Sequence, residues 1–595
     1  MRSRTILPLA AIAIMCLVGL IYWPVYHAGF VWVDKIFFYD NAWLRYGDGW
    51  KQFVFHNFYD WSEYFRPLVV ALFVFQLRIF DVAPGPMHLV SLGLHLASTL
   101  LVGLLALNLA AERASTSRPA IFAGIAMLLY GLHPALIEPV VWIACQFELV
   151  VTFFMLLGLL LNVWIKHAAL RAPAVAACFF LAACAHESAV SFPLLLVLID
   201  WMQTPGRDDR PPVAGLRSLW QRQRIVYVSV AVAGITYLGF RHWGLGFLLH
   251  PKGAAFAFSF AHLQSVCFIY LTYWRILVWP MLDLGPLHVV DAQRFAAFSL
   301  TSLCIDVATL ALLFGGICFA WKRKPLGCLI TAVTIALLPV LHILPILDAS
   351  LYHERYALVP AAMACALLPR ILSAIALPRV QLRAVAIAGM TIAVVWLGLA
   401  VVNIRTTVPL WADEMKLWLW VLQEHPDSIE AKSHLLSTYM ELDDRVRARQ
   451  MADSLMASGA VCPMCLLNAA SLALADDDIA RASVALGKLE PMIPRQNQPR
   501  LTQGFILATG ELRELKHDAQ GAEEAYRDAI SMEPLDPQAQ MNLALLLARQ
   551  GRTLEARRQL ELALSLLAPD QRDARRRVFE QILDGVSHPP DKPMP

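Results

Sequence analysis

The chain has 595 residues, of which 58% are hydrophobic and only 16% are charged, with a net charge of +3 and a mean hydropathy of +0.55. Soluble domains carry about 25% charged residues, so this composition excludes a disordered chain, a disulfide-rich secreted miniprotein and an ordinary cytosolic enzyme. It indicates a multi-span membrane protein, and the near-balanced charge gives no support for nucleic-acid binding.

The hydrophobic excess ends near residue 405, after which Glu, Arg, Gln, Asp and Ala dominate. The sequence therefore predicts an all-α protein with a membrane domain at 1–405 and a polar domain at 406–595. Thirteen apolar runs are candidate spans, although several fall short of the 20 or so residues that a full span needs. They lie at 6–22, 67–80, 87–110, 119–133, 147–165, 172–185, 187–201, 225–243, 262–282, 298–320, 325–346, 356–377 and 384–404.

Basic residues predict the sidedness of these runs, because Lys and Arg concentrate in cytosolic loops. The basic clusters agree only if 67–80 and 262–282 do not cross, which leaves about eleven spans. With an uncleaved N-terminal anchor, this odd number places the C-terminal domain outside the cytosol. The Arg-, Ala- and Leu-rich composition favours a bacterial inner membrane and a periplasmic C-terminal domain. The clusters are Arg113/Arg118, Lys166/Arg171, 207–224, 322–324 and Arg370/Arg379/Arg383.

Ionisable residues at or near membrane depth are costly and are therefore candidates for function. Five such clusters face outward in the eleven-span prediction. Asp34 follows the first span, where a carboxylate can take a proton from an attacking hydroxyl; a helix cap or a partner for Lys35 is the alternative. Arg66 opens an apolar run and can bind a phosphate with its guanidinium, or it simply extends its charge towards the interface.

Two further clusters interrupt apolar runs. His133 and Glu138 lie in a tight turn, where Glu138 can tune the pKa of Asp34, orient an acceptor or contribute to a divalent metal site. A purely structural turn is the alternative. His186 and Glu187 split what would otherwise be one long helix, and they form either a structural ion pair or part of a site.

The fifth cluster, His353-Glu354-Arg355-Tyr356, precedes an apolar run. Arg355 at a helix start is well placed for a ligand phosphate, since backbone N–H groups there add to the attraction. The alternative is that Glu354 merely neutralises Arg355. A phosphate-binding Gly-rich loop, an H-E-x-x-H motif and a Gly-x-Ser-x-Gly motif are absent from the sequence, which disfavours ATP-driven transport and serine or zinc hydrolysis.

The C-terminal domain carries an internal repeat. Ala522, Tyr526, Ala529 and Pro534 recur 34 residues later as Ala556, Leu560 and Ala563, with Pro569 one position late. This period is typical of tetratricopeptide repeats, and weaker copies start near Ser428 and Leu466. We expect an α-solenoid of about four units whose groove docks an acceptor protein; a rigid scaffold or an oligomer contact is the alternative.

Cys462 and Cys465 form a C-x-x-C pair in this domain. No thioredoxin-like βαβ pattern surrounds them, and a zinc site would need a second ligand pair nearby. Outside the cytosol the pair is expected to form a local disulfide.

Taken in order, the charged motifs resemble those of the membrane-embedded GT-C glycosyltransferases, in particular the transmembrane and tetratricopeptide-repeat O-mannosyltransferases and the related protein O-mannosyltransferases. The resemblance covers most of the chain outside about 205–345. It is carried by the repeat domain and by the segments Phe30-Val-Trp-Val-Asp34, Tyr64-Phe-Arg66-Pro-Leu, His133-Pro-x-x-x-Glu138-x-Val, His186-Glu187-Ser188 and Glu354-Arg355-Tyr356-x-x-x-Pro360.

The resemblance implies inverting transfer of a sugar from a polyprenyl-phosphate donor to a hydroxyl of a protein or glycan acceptor on the outer face of the membrane. Asp34 would be the base and Glu138 would support it. Donor contacts would come from Arg66, His133, His186, Glu187, His353, Glu354, Arg355 and Tyr356, with Arg355 holding the lipid phosphate.

The sequence departs from the family at two places. Relatives often carry two adjacent acids in the first outer loop, where Val33 occupies one position here, and a Lys-Glu pair where this chain has His186-Glu187. The loss of one acid weakens a metal-dependent scheme and leaves Asp34 as the lone candidate base. Two rivals stay open: a non-catalytic scaffold that binds partners through the repeats, and a lipid-linked-sugar transporter, although no internal repeat of the kind common in transporters is seen in the membrane domain.

Overall fold

The regular structure is helical throughout the part of the chain that the computed structural model describes. Among the predicted features, Arg113 and the first part of the basic cluster at 207–224 lie outside the described residues. The described residues are 2–39, 44, 50–56, 64–110, 118–204, 212–248, 259–288, 295, 299–343, 352–374, 379–457, 462–496, 499–567 and 569–587.

Fifteen helices form the apolar two-thirds of the molecule. They are α1 (Arg2–Tyr22), α2 (Trp50–Phe55), α3 (Pro67–Phe80), α4 (Pro84–Leu109), α5 (Arg118–Gly131), α6 (Ile137–Val141), α7 (Gln146–Trp164), α8 (Ala168–Ala183), α9 (Phe192–Gln203), α10 (Pro212–Leu245), α11 (Phe260–Val278), α12 (Leu300–Trp321), α13 (Pro325–Leu337), α14 (Leu358–Ala374) and α15 (Arg379–Thr407).

Seven helical segments within the described residues are long and apolar enough to cross a membrane, and an eighth crossing is formed if the pair Ala120–Gly131 and Pro134–Val141, bent by 56°, is one broken span. These segments are compatible with a multi-pass membrane protein; the predicted count of eleven stays a prediction. They are Pro8–His27, Pro84–Leu109, Ile143–Trp164, Ala214–Leu245, Leu300–Trp321, Glu354–Ala374 and Arg383–Trp411.

Burial separates central from peripheral helices. Of the most apolar stretch of Ile143–Trp164, 83% is buried inside the protein. For the corresponding stretch of Arg383–Trp411 the buried share is only 6%. The latter segment exposes Ile387, Ile392 and Val395. Such a continuous apolar surface is unfavourable in water but suits contact with lipid.

Charges and prolines shorten several helices relative to the apolar runs in the sequence. The run at 67–80 is the 14-residue helix α3, which is about 21 Å long and so falls short of a hydrocarbon core of about 30 Å. The apolar run at 187–201 becomes an α-helix only from Phe192, where α9 starts. Its first residues, Glu187–Ser191, form a short 3₁₀ turn instead.

The polar third of the molecule consists of further helices. They are α16 (Glu414–Glu424), α17 (Ile429–Glu441), α18 (Arg445–Ala457), α19 (Pro463–Ala475), α20 (Ile479–Leu489), α21 (Ile493–Gln496), α22 (Pro499–Leu515), α23 (Ala519–Met532), α24 (Pro537–Arg549), α25 (Thr553–Leu566) and α26 (Pro569–Ser587). The predicted boundary near residue 405 falls in the last turn of α15 rather than between helices.

Helices α17 to α25, apart from the short α21, pack as four successive pairs: α17 with α18, α19 with α20, α22 with α23, and α24 with α25. The turn inside each pair contains one residue with left-handed backbone, a conformation that commonly ends a helix. These residues are Asp443, Asp477, His517 and Gly551, with φ of 53°, 56°, 64° and 76°. The repeat residues Ala522, Tyr526 and Ala529 are buried between helices. Membership of these pairs in the tetratricopeptide family stays a prediction.

Candidate functional site

Charged residues from four distant parts of the chain meet in one cluster, which is largely buried except for the Glu187 side chain. Arg66 donates two hydrogen bonds to Glu187, from Nε at 3.1 Å and Nη2 at 2.9 Å. Arg355 binds Glu138 twice, through its backbone N–H at 2.9 Å and through Nη1 at 2.7 Å. These partners are 121 and 217 residues apart in sequence, so the cluster exists only in the folded chain.

Glu148 lies between the two pairs. Its Oε1 is 3.6 Å from Arg355 Nε and 3.8 Å from His186 Nε2. Glu148 is not among the predicted site residues, although an acid at the start of a long apolar run is the usual signal of an intramembrane site. We call Arg66, Glu138, Glu148, His186, Glu187 and Arg355 the charged cluster.

Helix starts bring the charged cluster together. Glu138 and Glu148 lie in the first turns of α6 and α7, where a carboxylate is stabilised by the free N–H groups and the helix dipole. Arg355 lies in the short 3₁₀ turn Glu354–Ala357 that precedes α14. The breaks in the apolar runs thus place opposite charges at one level of the bundle.

Asp34 is anchored next to the charged cluster. It is fully buried, and its Oδ1 accepts a hydrogen bond of 2.9 Å from the backbone N–H of Ala144. Its Oδ2 has no hydrogen-bond partner among the described residues. Burial raises the pKa of Asp34 well above its usual value, against the opposing effect of the backbone hydrogen bonds. Lys35, the predicted alternative partner, instead donates to Glu441 at 2.5 Å.

Two stacked tryptophans connect Asp34 with Arg355. The Trp32 ring lies flat against Trp142, with centroids 4.6 Å apart and an interplanar angle of 9°. The Arg355 guanidinium lies over the same Trp142 ring at 5.3 Å. Because Trp142 and Ala144 belong to one short segment, this segment contacts both the predicted base and the predicted phosphate-binding arginine.

The pKa values of the neighbours His186 and Glu187 are both lowered, which leaves His186 neutral and Glu187 charged. Burial, reinforced by the nearby arginines, lowers the pKa of His186 to about 3, so the imidazole is neutral at physiological pH. Burial disfavours ionisation of Glu187, but the Arg66 charge and its hydrogen bonds outweigh this effect and lower the pKa of Glu187 to about 2. The Arg66–Glu187 pair is therefore a permanent ion pair.

Glu354 does not neutralise Arg355, so the alternative interpretation of this segment is wrong. Glu354 Oε1 instead contacts His288 Nε2 at 2.7 Å, and the His288 ring stacks on Tyr352 at 4.2 Å. Burial disfavours charge on His288, but Glu354 and Asp283 outweigh it and raise the pKa of His288 to about 10. His288 was missed because nothing in its local sequence distinguishes it.

The three remaining predicted donor-binding residues lie outside the charged cluster or at its edge. His133 contacts the Leu277 carbonyl through Nε2 at 3.1 Å and packs against Trp396, so it secures a turn and α11 rather than joining the charged cluster. The His353 Nδ1 is buried without a hydrogen-bond partner in the described part of the chain. Tyr356 packs its ring beside the Arg355 guanidinium at 5.0 Å.

A divalent metal site, one of the roles left open for Glu138, finds no support in the described residues. No group of three or more His, Cys, Asp or Glu side chains within the described ranges could hold a metal ion. In the charged cluster the carboxylates of Glu138, Glu148 and Glu187 are instead matched with arginines.

The predicted disulfide joins Cys462 to Cys465 at the start of α19. Neither cysteine belongs to the charged cluster.

Comparison with protein-family models finds no match to this chain, and comparison with curated proteins finds none either.

Proposed function

We propose that the protein is an inverting glycosyltransferase that moves a sugar from a polyprenyl-phosphate donor to an acceptor hydroxyl outside the cytosol. The observation that supports this proposal is the meeting of Asp34, Arg66, Glu138, Glu187 and Arg355, which the sequence scatters over more than half of the chain, around one buried segment. Burying charge in an apolar domain costs free energy. Binding of a charged, phosphate-bearing lipid accounts for the presence of these charges.

The physical requirements of the donor match this arrangement. A polyprenyl chain stays in the bilayer while its phosphate and sugar lie at the surface, so the phosphate needs cations at the ends of spanning helices. Arg355 lies at the start of the candidate span Glu354–Ala374 and Arg66 at the start of the shorter α3, and guanidinium groups bind phosphate oxygens through paired hydrogen bonds. In this proposal the lipid phosphate competes with Glu138 for Arg355, and Glu148 retains the guanidinium in place.

The reaction needs a base on the opposite side of the reacting carbon from the phosphate. In the proposed step the acceptor O–H transfers its proton to the Asp34 carboxylate, the acceptor oxygen bonds to the anomeric carbon, and the bond from that carbon to the phosphate oxygen breaks. The lipid phosphate leaves with the electron pair. A raised pKa makes ionised Asp34 a stronger base. Because Asp34 is fully buried, the acceptor reaches it only after the surrounding segments separate.

The repeat domain gives this proposal an acceptor side. It lies directly against the segment that carries Asp34, through contacts such as Lys35 with Glu441 of α17 and Gly29 N with the Ala412 carbonyl, at 2.8 Å, just before α16. A protein bound along the helix pairs would therefore be held beside the base. The C-terminal domain is proposed to lie in the periplasm of a bacterium, which is the side on which the disulfide is stable.

A non-catalytic scaffold is the second candidate, and a specific observation favours it. Both arginines of the charged cluster are already paired with carboxylates within the chain, as expected for a purely structural network. The two candidates differ in what Asp34 does: a base is indispensable for turnover, whereas a structural carboxylate in a scaffold affects only folding.

The deciding experiment measures transfer of a radiolabelled sugar from polyprenyl phosphate in proteoliposomes. Asp34→Asn is expected to lose at least a hundredfold in turnover, the usual contribution of a general base, with its fold retained. Asp200→Asn is the matched control, because Asp200 is also a buried carboxylate but is bonded to Asn162 and Tyr227 near the other end of α9. Normal turnover by folded Asp34→Asn would contradict the proposal and support the scaffold.

A further inference from the structure

The segment that carries Asp34 is fixed from the repeat domain by one carboxylate. Glu414, at the start of α16, accepts a hydrogen bond of 2.6 Å from the backbone N–H of Trp32 and another of 2.6 Å from Trp418 Nε1. Only 8% of Glu414 is exposed. Its partner in the membrane domain is 382 residues earlier in the chain, so this bond connects the two predicted domains at the site.

Trp32 has an unusual backbone that needs such support. Its φ of 55° lies in the left-handed region, which bulky residues avoid because Cβ crowds the following carbonyl. The turn brings the N–H of Asp34 within 3.0 Å of the Val31 carbonyl. The bond from Glu414 to the Trp32 N–H therefore holds the residue on which the direction of Asp34 depends.

The Trp32 side chain is held from the same side. Its ring makes an edge contact with Trp418 at 5.4 Å, and Trp418 stacks on His434 at 4.0 Å. The Trp32 ring also stacks on Trp142, in the segment whose Ala144 N–H binds Asp34. A continuous path of contacts thus runs from Glu414 to both groups that determine where the Asp34 carboxylate lies.

We propose that Glu414 is a positioning residue of the site: by holding Trp32 in its left-handed conformation, the first helix of the repeat domain fixes the place of Asp34. The repeat domain is then part of the site as well as a docking surface. This inference deepens the proposed function and rests on it for the role of Asp34, but the geometry it asserts can be tested without any activity.

The geometric test is hydrogen–deuterium exchange of the full-length protein in nanodiscs, with residue-level readout at two amides. Glu414→Ala is expected to raise exchange roughly tenfold at Trp32, where a charge-assisted hydrogen bond is lost, and to raise it also at Ala144, where Glu414 makes no contact. Glu414→Gln keeps an acceptor oxygen and is expected to restore protection at both amides. Where Glu414→Ala fails to fold, Trp418→Phe, which removes one of the bonds that orient Glu414 but leaves its contact with His434, is expected to raise both rates by a smaller factor.

Glu441→Gln is the matched control, because Glu441 also joins the two domains, through Lys35, but at a solvent-exposed position. It is expected to leave exchange at Ala144 unchanged. Unchanged protection of Ala144 in Glu414→Ala or Trp418→Phe would overturn the inference, as would an equal effect of Glu441→Gln, since Glu414 would then only attach the repeat domain.

A kinetic measurement separates this inference from the proposed function. If Asp34 is the base, Glu414→Ala is expected to lower kcat at least tenfold and to change KM for the lipid donor less than twofold, because Arg66 and Arg355 remain in place. A rise in KM with normal kcat would contradict a positioning role. Normal activity of Asp34→Asn, with the exchange changes present, would refute the proposed function and leave the positioning geometry intact.

Discussion

The Arg355–Glu138 pair allows the sharpest energetic prediction. The two side chains are only 13% and 4% exposed, and they share a hydrogen bond of 2.7 Å in addition to the bond from the Arg355 backbone. Removing one partner of a buried ion pair costs about 3–5 kcal/mol, because the other charge stays buried. For Glu138→Gln we expect the unfolding free energy to fall by about 3 kcal/mol, the lower end of this range. The loss is moderate because Glu148 remains 3.6 Å from the guanidinium.

Arg355→Met leaves two buried carboxylates without their cation, so we expect a cost of about 4 kcal/mol. In the double variant the Glu138 charge and its partner are both absent. The loss of unfolding free energy in the double variant is therefore expected to be about 2 kcal/mol smaller than the sum of the two single losses. Such a coupling is typical of residues in direct contact.

The assay is equilibrium unfolding in mixed detergent micelles, followed with a thiol-reactive dye that reaches the buried Cys145, Cys328 and Cys365 only when the chain opens. The matched control is the Arg557–Glu580 pair, whose side chains are 55% and 38% exposed. Its coupling is expected to be about 0–1 kcal/mol. Losses at Arg355 and Glu138 that add within about 0.5 kcal/mol would refute the reasoning from burial.

Three more predictions follow from the site and the domain arrangement. The midpoint of the acid limb of the pH–rate profile should lie well above pH 3.9, the ordinary pKa of Asp. The reason is that burial raises the pKa of Asp34 and only its ionised form accepts the proton. A midpoint at or below about pH 4 would argue against Asp34 as base. The contribution of Asp34 to stability has the opposite trend: native Asp34 binds its proton more tightly than the unfolded chain, so stability should fall as pH rises from 3.9 towards the raised pKa, and folded Asp34→Asn should lack this decline in a pH series of unfolding free energies. Finally, in intact cells an alkylating reagent should label Cys462 and Cys465 only after reduction, as shown by mass spectrometry; labelling without reductant would place this domain in the cytosol.

Many of the helices could be predicted from the sequence, because a membrane-spanning helix needs about 20 consecutive, mostly apolar residues. Apolar length alone locates helices such as α7 and α12 within a few residues. The exact start of α9 was missed, since the apolar run at 187–201 does not reveal that Glu187–Ser191 turns before the helix begins. In the C-terminal helix pairs, Gly551 is a recognisable turn residue because glycine favours left-handed backbone. Asp443, Asp477 and His517 adopt the same conformation, but Asp and His also occur in many other settings.

The members of the site were easier to predict than their partners. Charges that interrupt apolar runs stand out, which is why Arg66, Glu138 and Arg355 were selected. Which charge meets which depends on how helices pack, and no local pattern carries that information. The bond between Glu414 and Trp32 is an example, since it spans 382 residues and involves a backbone N–H.

The central claim is that Arg355 receives the phosphate of a polyprenyl lipid beside Asp34. It is tested most directly by measuring binding of a polyprenyl-phosphate lipid to the purified protein in nanodiscs, comparing wild type with Arg355→Ala. Arg323→Ala is the control, because Arg323 packs on Trp201, away from the charged cluster. We predict at least a tenfold loss of affinity for Arg355→Ala, as expected for one charge-assisted phosphate contact, and none for the control. Equal binding by wild type and folded Arg355→Ala would contradict the claim.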